Sequence, residues 1–275
     1  MGRILITVIN YSNEAEVLRY AQMLSKQTVS SEIDLVIVNN KKSLNSKINL
    51  EKEIKEIEMS IEIYDPGENL GYLNGCLYGY REYRKRYKSI PEWVIVSNTD
   101  IDIPNRSFFE KFLAKKYDKE VWCIAPSVYS PKNKSYDNPH YVNRCSLRKI
   151  NRVIWINERP ICALFYHKLA KIKAKTKRKS KQPSQYVYSV HGCFFALKYE
   201  FVDKIKDIYY EGFLYSEEAY IAEYIRIFGK KSFYDDSLEV THRENSVTGL
   251  LNIERKSRLI ANSLKYIRDK FYIGE

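Results

Sequence analysis

Residues 93 to 104, WVIVSNTDIDIP, decide how the rest of the chain is read. Trp93, Val94, Ile95 and Val96 form an unbroken apolar run, and Pro104 closes the segment. A short apolar run bounded by a turn signal reads as a strand buried on both faces, as in a parallel sheet. Asn98, Asp100 and Asp102 follow the run directly. Where such strands lie in a doubly wound α/β sheet, ligands bind beyond their carboxyl ends, so two acids there are candidate ligand groups.

The segments before it fit that setting. ILITVIN (4 to 10), IDLVIVNN (33 to 40) and SIEIYD (60 to 65) read as further strands. NEAEVLRYAQMLSKQ, KINLEKEIKEIE and LNGCLYGYREYRKRY alternate with them as helices, the first with apolar residues at 17, 18, 21 and 24 and a capping box from Asn13 and Glu16. The order is βαβαβαβ, which right-handed crossovers turn into a parallel sheet with helices on both faces. Asn10, Tyr11, Asn39, Asn40, Asp65 and the Asn98 to Asp102 group should then meet in one crevice. From about 130 to 190 the pattern loosens: SPKNKSYDNPHYVN is loop-like, and RKINRVIWIN shows a little apolar alternation. Order returns with YVYSVHGCFFAL, the helix EEAYIAEYIRIFG, the strand KSFYDDSLEVTH and a final amphipathic helix.

Composition narrows the classes. A chain of 275 residues with 44% hydrophobic and 14% aromatic content can bury a substantial core. The formal charge of +12 is concentrated in HKLAKIKAKTKRKSKQ (167 to 182), which holds eight Lys and Arg and no acid, so it is a local feature and not a surface-wide coat. Five cysteines, odd in number and never as CxxC, suggest neither a disulfide framework nor a zinc site. No stretch approaches the roughly 20 apolar residues of a membrane span, and the N-terminal apolar run is too short for a secretory signal, which places the protein in the cytoplasm. Phosphate-loop, GxGxxG and GxSxG motifs are missing from the places where they would carry meaning. Two carboxylates past a buried strand suit a divalent cation that shares its shell with phosphate oxygens. Taken alone the pair is a weak signal, and Asp100 reads better as a turn or cap residue and Asp102 as a solvated one.

With their neighbours, these segments resemble the family 2 glycosyltransferases of the GT-A fold, in the rhamnosyltransferase-like branch. VINYSNEAEV, DLVIVNNKKS, ENLGYLNG, VSNTDIDIP, HGCFFALKYEFVDKI, GFLYSEEAYIAEYIRIFG and LEVTHRENSV follow in that family's order over roughly 1 to 128 and 186 to 272. The resemblance implies a GT-A, Rossmann-like doubly wound and mostly parallel sheet with C-terminal acceptor-side helices. A nucleotide-sugar half (1 to 128) and an acceptor half (129 to 275), with a basic insert at 164 to 182, would form one continuous domain. It implies inverting transfer from a UDP- or dTDP-sugar, dTDP-rhamnose among them, to a glycan or lipid-diphosphate-linked acceptor in surface polysaccharide synthesis.

By the same resemblance, Tyr11 and Asn39 hold the nucleobase, Asn69 and Gly71 lie against the nucleotide, and Asn98 sits near the ribose. Asp100 bridges Mg²⁺ or Mn²⁺ to the diphosphate, with Asp102 as second ligand and His242 as a residue that closes the site over the metal. From the residues alone His242 reads equally as a surface histidine in a strand-to-helix loop. Glu218 stands where the family carries its catalytic Asp and is the expected base, with Glu217 supporting it or binding acceptor; acids also favour the first turn of a helix for its dipole. The basic insert, with Leu164, Phe165, Leu169 and Ile172 beside it, reads as a helix on an anionic membrane surface or as a solvated lysine loop. Two other classes compete: a nucleotide-sugar-binding protein without turnover, and a nucleic-acid binder, the latter lacking any module signature.

Overall fold

The computed structural model describes residues 3–40, 50–176, 178–244 and 252–274, with the side chains of 171 and 173–175 excepted. In chain order the elements are β1 (Ile4–Asn10), α1 (Glu14–Ser25), β2 (Ile33–Asn39), β3 (Ser60–Tyr64), α2 (Tyr72–Arg86), β4 (Trp93–Ser97), β5 (Ile101–Asp102) and α3 (Phe108–Ala114). There follow β6 (Val121–Ser130), β7 (Ser135–Tyr136), α4 (Leu147–Asn157), α5 (Pro160–Thr176), β8 (Gln185–Val187), β9 (Phe194–Lys198), α6 (Tyr199–Ile205), α7 (Glu217–Ile227), β10 (Lys231–His242) and α8 (Ile253–Phe271).

The strands form one ten-stranded sheet with the order β3-β2-β1-β4-β9-β6-β10-β5, β7 adding to β6 and β8 to β10. The first four are parallel, in keeping with the largely apolar runs of β1, β2 and β4. β9 then runs antiparallel between β4 and β6, while β10 lies parallel to β6. β1, β2 and β4 are largely apolar on both parities because each face has its own core, whereas the edge strand β3 alternates Ile61 and Ile63 with Ser60 and Glu62. Ile4, Ile6, Ile33, Leu35, Ile37, Trp93 and Ile95 pack on one side with α1 and α3. Leu5, Val36, Val38, Val94 and Val96 pack on the other with α2, α6 and α7.

Two local expectations do not hold. Asn13 precedes α1, but its side chain makes no cap hydrogen bond; its Nδ2 instead donates to Thr99 Oγ1 at 2.7 Å, tying the helix start to the end of β4. The weak alternation in RKINRVIWIN is helical: α4 is capped by Ser146 and buries Ile150 and Ile154, positions four apart. The helix expected over 47 to 58 begins outside the described residues, although 50–54 are helical.

Helix α2 lies unusually close to the sheet. A Cβ at Gly79 would stand 2.7 Å from Val38 Cγ2 and 2.8 Å from Val36 Cγ1, and one at Gly75 2.6 Å from Ile9 Cδ1. Two glycines one turn apart thus let the helix backbone rest on β1 and β2, beneath the strand ends that open onto the site. Gly79→Ala should therefore lower stability by about 1–3 kcal/mol through overpacking, despite alanine's better helix propensity. The check is the urea unfolding midpoint, and an unchanged or higher midpoint would contradict this packing.

Candidate active site

A cavity of about 750 Å³ lies beyond the carboxyl ends of β1, β2 and β4. Its wall carries Tyr11, Asn69, Gly71, Asn98, Asp100, Glu217, Glu218 and His242, residues drawn from both ends of the chain. Asn10, Asn39, Asp65 and Asp102, also expected there, do not line it.

Parity on β2 explains Asn39. Its side chain is fully buried, and its Oδ1 accepts from Asn10 Nδ2 at 3.0 Å, which ties the ends of β1 and β2 together. The next residue, Asn40, faces the cavity. Asn40 Nδ2 donates to the Gly71 carbonyl at 2.8 Å, leaving its buried Oδ1 without a hydrogen-bond partner among the described residues. Gly71 is needed as glycine: φ is +78°, and a Cβ would sit 2.3 Å from the Phe213 carbonyl oxygen. That contact joins the loop before α2 to the loop leading into α7, where Phe213, Tyr215 and Ser216 all have positive φ.

Asp102 is corrected from metal ligand to structural anchor. Arg19 Nη1 donates to its Oδ1, and Arg243 Nε lies 3.3 Å from its Oδ2. Arg19 also donates to the Thr99 and Ile101 carbonyls at 2.7 and 3.0 Å, and both arginines pair with Glu16. Asp100, two residues earlier and 3% exposed, points into the cavity. Its Oδ1 lies 3.4 Å from His242 Nε2. Short strand β5 produces this approach by pairing antiparallel with the end of β10, His242 opposite Ile101. The arrangement fits a divalent cation: a buried carboxylate and a buried imidazole face one polar space, and His242 Nδ1 lacks a hydrogen-bond partner among the described residues.

Four histidines occur in the whole chain, and three of them, His140, His191 and His242, line this one cavity. His140, His191 and Cys193 carried no role in the sequence reading; the scarcity of histidine was the available signal, and HGCF was already visible as a motif. Burial disfavours the charged ring of His140, the nearby His191 adds to this, and its pKa falls to about 3. Burial also works against protonation of His242, but Asp100 and Cys193 outweigh it and raise the ring to about 11. For His191 burial is likewise outweighed, by Cys193 and Asp137, and the ring rises to about 9.

The two adjacent glutamates differ. Glu217, 6% exposed, is raised to about 8 by burial and then by the charge of Glu218. Glu218 is also raised by burial, but it is the more open of the two, with Oε1 4.0 Å from His140 Nδ1. A Cβ at Gly192 would meet Glu218 Oε2 at 3.5 Å, so this carboxylate lies beside the strand segment that carries His191 and Cys193. Burial and the neighbouring charge thus favour the protonated form of Glu217. The far wall is apolar and basic, built from Ile150, Val153, Ile260, Leu264 and Ile267 with Lys149 and Arg255.

The fold is that of GT-A-type glycosyltransferases, a central sheet flanked by helices. Among solved structures the chain is similar to the mannosyltransferase PcManGT from Pyrobaculum calidifontis, determined with GDP-Man and Mn²⁺, at 14% identity and TM-score 0.59. It is similar also to GalNAc-T7 determined with UDP, GalNAc and Mn²⁺, at 12% identity and TM-score 0.59. The alignments cover 98% and 99% of this chain but 65% and 50% of those proteins, so it spans less than two thirds of either. No protein-family model matches the sequence, and no curated protein matches it.

The buried Glu217 has a thermodynamic consequence. Its folded pKa lies above the unfolded value of 4.5, so the stability it contributes is complete below about pH 4.5 and is lost as pH rises through about 8. Glu217→Gln should remove that loss. The melting temperature of the variant should match the native chain near pH 4.5 and exceed it progressively up to pH 8.5, a gain on the order of a few kcal/mol. Parallel profiles would show that Glu217 is ionised in the folded protein.

Proposed function

We propose that the protein is an inverting, metal-dependent glycosyltransferase that uses a nucleoside-diphosphate sugar, a UDP- or dTDP-sugar such as dTDP-rhamnose, and a glycan or lipid-diphosphate-linked acceptor of bacterial surface polysaccharide synthesis. The observation that carries this reading is the placement of Asp100 with His242 and of Glu218 on one cavity at the strand ends of a GT-A-type sheet. Asn40 Oδ1 is a buried acceptor facing the cavity, suited to the imide N–H that uracil and thymine share. Tyr11, 40% exposed at the rim, offers a ring on which the base can stack.

Asp100 and His242 would hold Mg²⁺ or Mn²⁺, which when bound supplies Lewis-acid stabilisation of the diphosphate leaving group. Glu218 takes the proton of the acceptor hydroxyl as it attacks the anomeric carbon from the side opposite the diphosphate. A single carboxylate acting as base, with no covalent sugar intermediate, gives inversion. His140 is neutral and accompanies Glu218 without adding positive charge beside it. Lys149 and Arg255 stand on the apolar wall, the pairing of chemistries that a diphosphate on a lipid chain presents.

The same reading assigns a role to α5. Ile161, Leu164, Phe165, Leu169 and Ile172 are all exposed along one side of that helix, with Phe165 60% and Leu169 64% exposed, beside the lysine-rich run. Exposed apolar residues in such a contiguous row mark an interaction surface, and cations next to them favour anionic lipid headgroups. Among the described residues no helix is long and apolar enough to cross a membrane.

Asp100→Ala should lower Mn²⁺-dependent transfer, or hydrolysis of the donor in the absence of acceptor, by at least about a hundredfold. Glu218→Gln should retain donor binding while transfer falls by about 10²- to 10⁴-fold. Full activity in either variant would displace that residue from its role. For α5, cosedimentation with vesicles containing phosphatidylglycerol should be salt-sensitive and should drop in Phe165→Asp/Leu169→Asp; equal binding by both proteins would exclude docking through this helix.

A further inference from the structure

His191, Cys193 and His242 each offer a ligand atom, and those atoms lie within 4.8 Å of one another. His191 and Cys193 come from the segment entering β9, while His242 ends β10, so three segments distant in sequence meet at Asp100. The cluster is built into the protein: Cys193 is 2% exposed and His242 8% exposed, and both face the cavity. His242 Nδ1 lacks a hydrogen-bond partner among the described residues, where an unsatisfied polar atom is costly, and Nε2 faces Asp100 Oδ1 at 3.4 Å. The Asp100 Oδ1 to His242 Nε2 separation of 3.4 Å also matches the edge of a tetrahedron whose vertices lie at the roughly 2.0–2.2 Å typical of zinc–nitrogen and zinc–oxygen bonds.

We infer that His191, Cys193 and His242 form a three-ligand site for a borderline-soft divalent cation of the zinc class, its remaining position turned toward Asp100 and the cavity. The chemistry follows from the donors. Carboxylate and water suit Mg²⁺ and Mn²⁺, whereas two imidazoles and a thiolate favour Zn²⁺ or Co²⁺. Three protein ligands with one open position also make a site that can take an outside oxygen, here from Asp100 or a ligand phosphate. Cation binding displaces the protons that Cys193, His191 and His242 carry at their ligand atoms, leaving a thiolate and two neutral imidazoles bonded to the metal. The inference shares Asp100 and His242 with the transferase reading, but its test needs no sugar donor.

The test is titration of the full chain, stripped of metal by chelation, with Co²⁺ alone. Tetrahedral cobalt bound to a thiolate gives a near-ultraviolet sulfur-to-cobalt charge-transfer band and intense visible bands, which Zn²⁺ should erase stoichiometrically. Cys193→Ser should lose the charge-transfer band and bind Zn²⁺ at least tenfold more weakly, and Cys123→Ser, at a buried thiol away from the cavity, should keep both. His191→Ala, should Cys193→Ser fail to fold, must likewise weaken Zn²⁺ binding tenfold or more. Weak octahedral cobalt bands alone, or a charge-transfer band that survives in Cys193→Ser, would overturn the site. If Mn²⁺ supports sugar transfer while no thiolate band appears, the inference fails and the transferase reading stands. A Cys193-dependent band in a chain inactive with every cation supports the site while the transferase reading fails.

Discussion

The pairing of β5 with the end of β10 is the constraint on which the site depends. β5 is two residues long, and its register places Thr241 opposite Asp102 and His242 opposite Ile101. Two ladder positions could not hold such a segment alone. The carboxylate of Asp102, gripped by Arg19 and Arg243, and the Arg19 bonds to the Thr99 and Ile101 carbonyls supply the rest. Asp100 lies in the turn just before β5, outside the extended pair, so anchoring Asp102 fixes that turn with Asp100 facing the cavity. The backbone N–H of Arg243 donates to the Asp100 carbonyl at 3.0 Å and completes the tie.

That arrangement separates two acids that look equivalent in a DxD pattern. One is exposed enough to be solvated and is neutralised by two guanidinium groups; the other is buried beside an imidazole. The difference matters chemically because a carboxylate already held by arginines is a poor cation ligand, whereas a buried carboxylate facing an open polar space gains most from a bound positive charge. The same logic distinguishes the glutamates of α7. Burial raises both carboxyls; the charge of Glu218 adds to the rise at Glu217, whereas the charge of His191 opposes it at Glu218.

One wall of the cavity depends on elements that contribute little to the sheet. α4 and α8 pack on one another and present apolar residues with Lys149 and Arg255 to the cavity, and α5 extends from them with its apolar side exposed. The loop before α7 reaches back to the loop before α2 through the Gly71–Phe213 contact, so the two walls of the cavity are mechanically joined.

Much of this was legible in the residues themselves. Apolar runs of fixed length, β-branched and unbroken, determined the parallel strands, because a strand covered on both faces needs apolar residues at both parities. The positions of Asp100, Glu217 and Glu218 at element ends followed from the same pattern. Other features were decided by the tertiary structure alone. Asn39 and Asn40 are interchangeable in sequence until the strand's pleat assigns one to the core and the other to the cavity. Asp102 could be read as a ligand until Arg19 and Arg243 were brought beside it. Cys193 is an isolated thiol by spacing and becomes part of a cluster only because β9 and β10 end at the same point. Periodicity along the chain reports which face a residue takes; which distant residues share that face is settled only by the order and register of the strands.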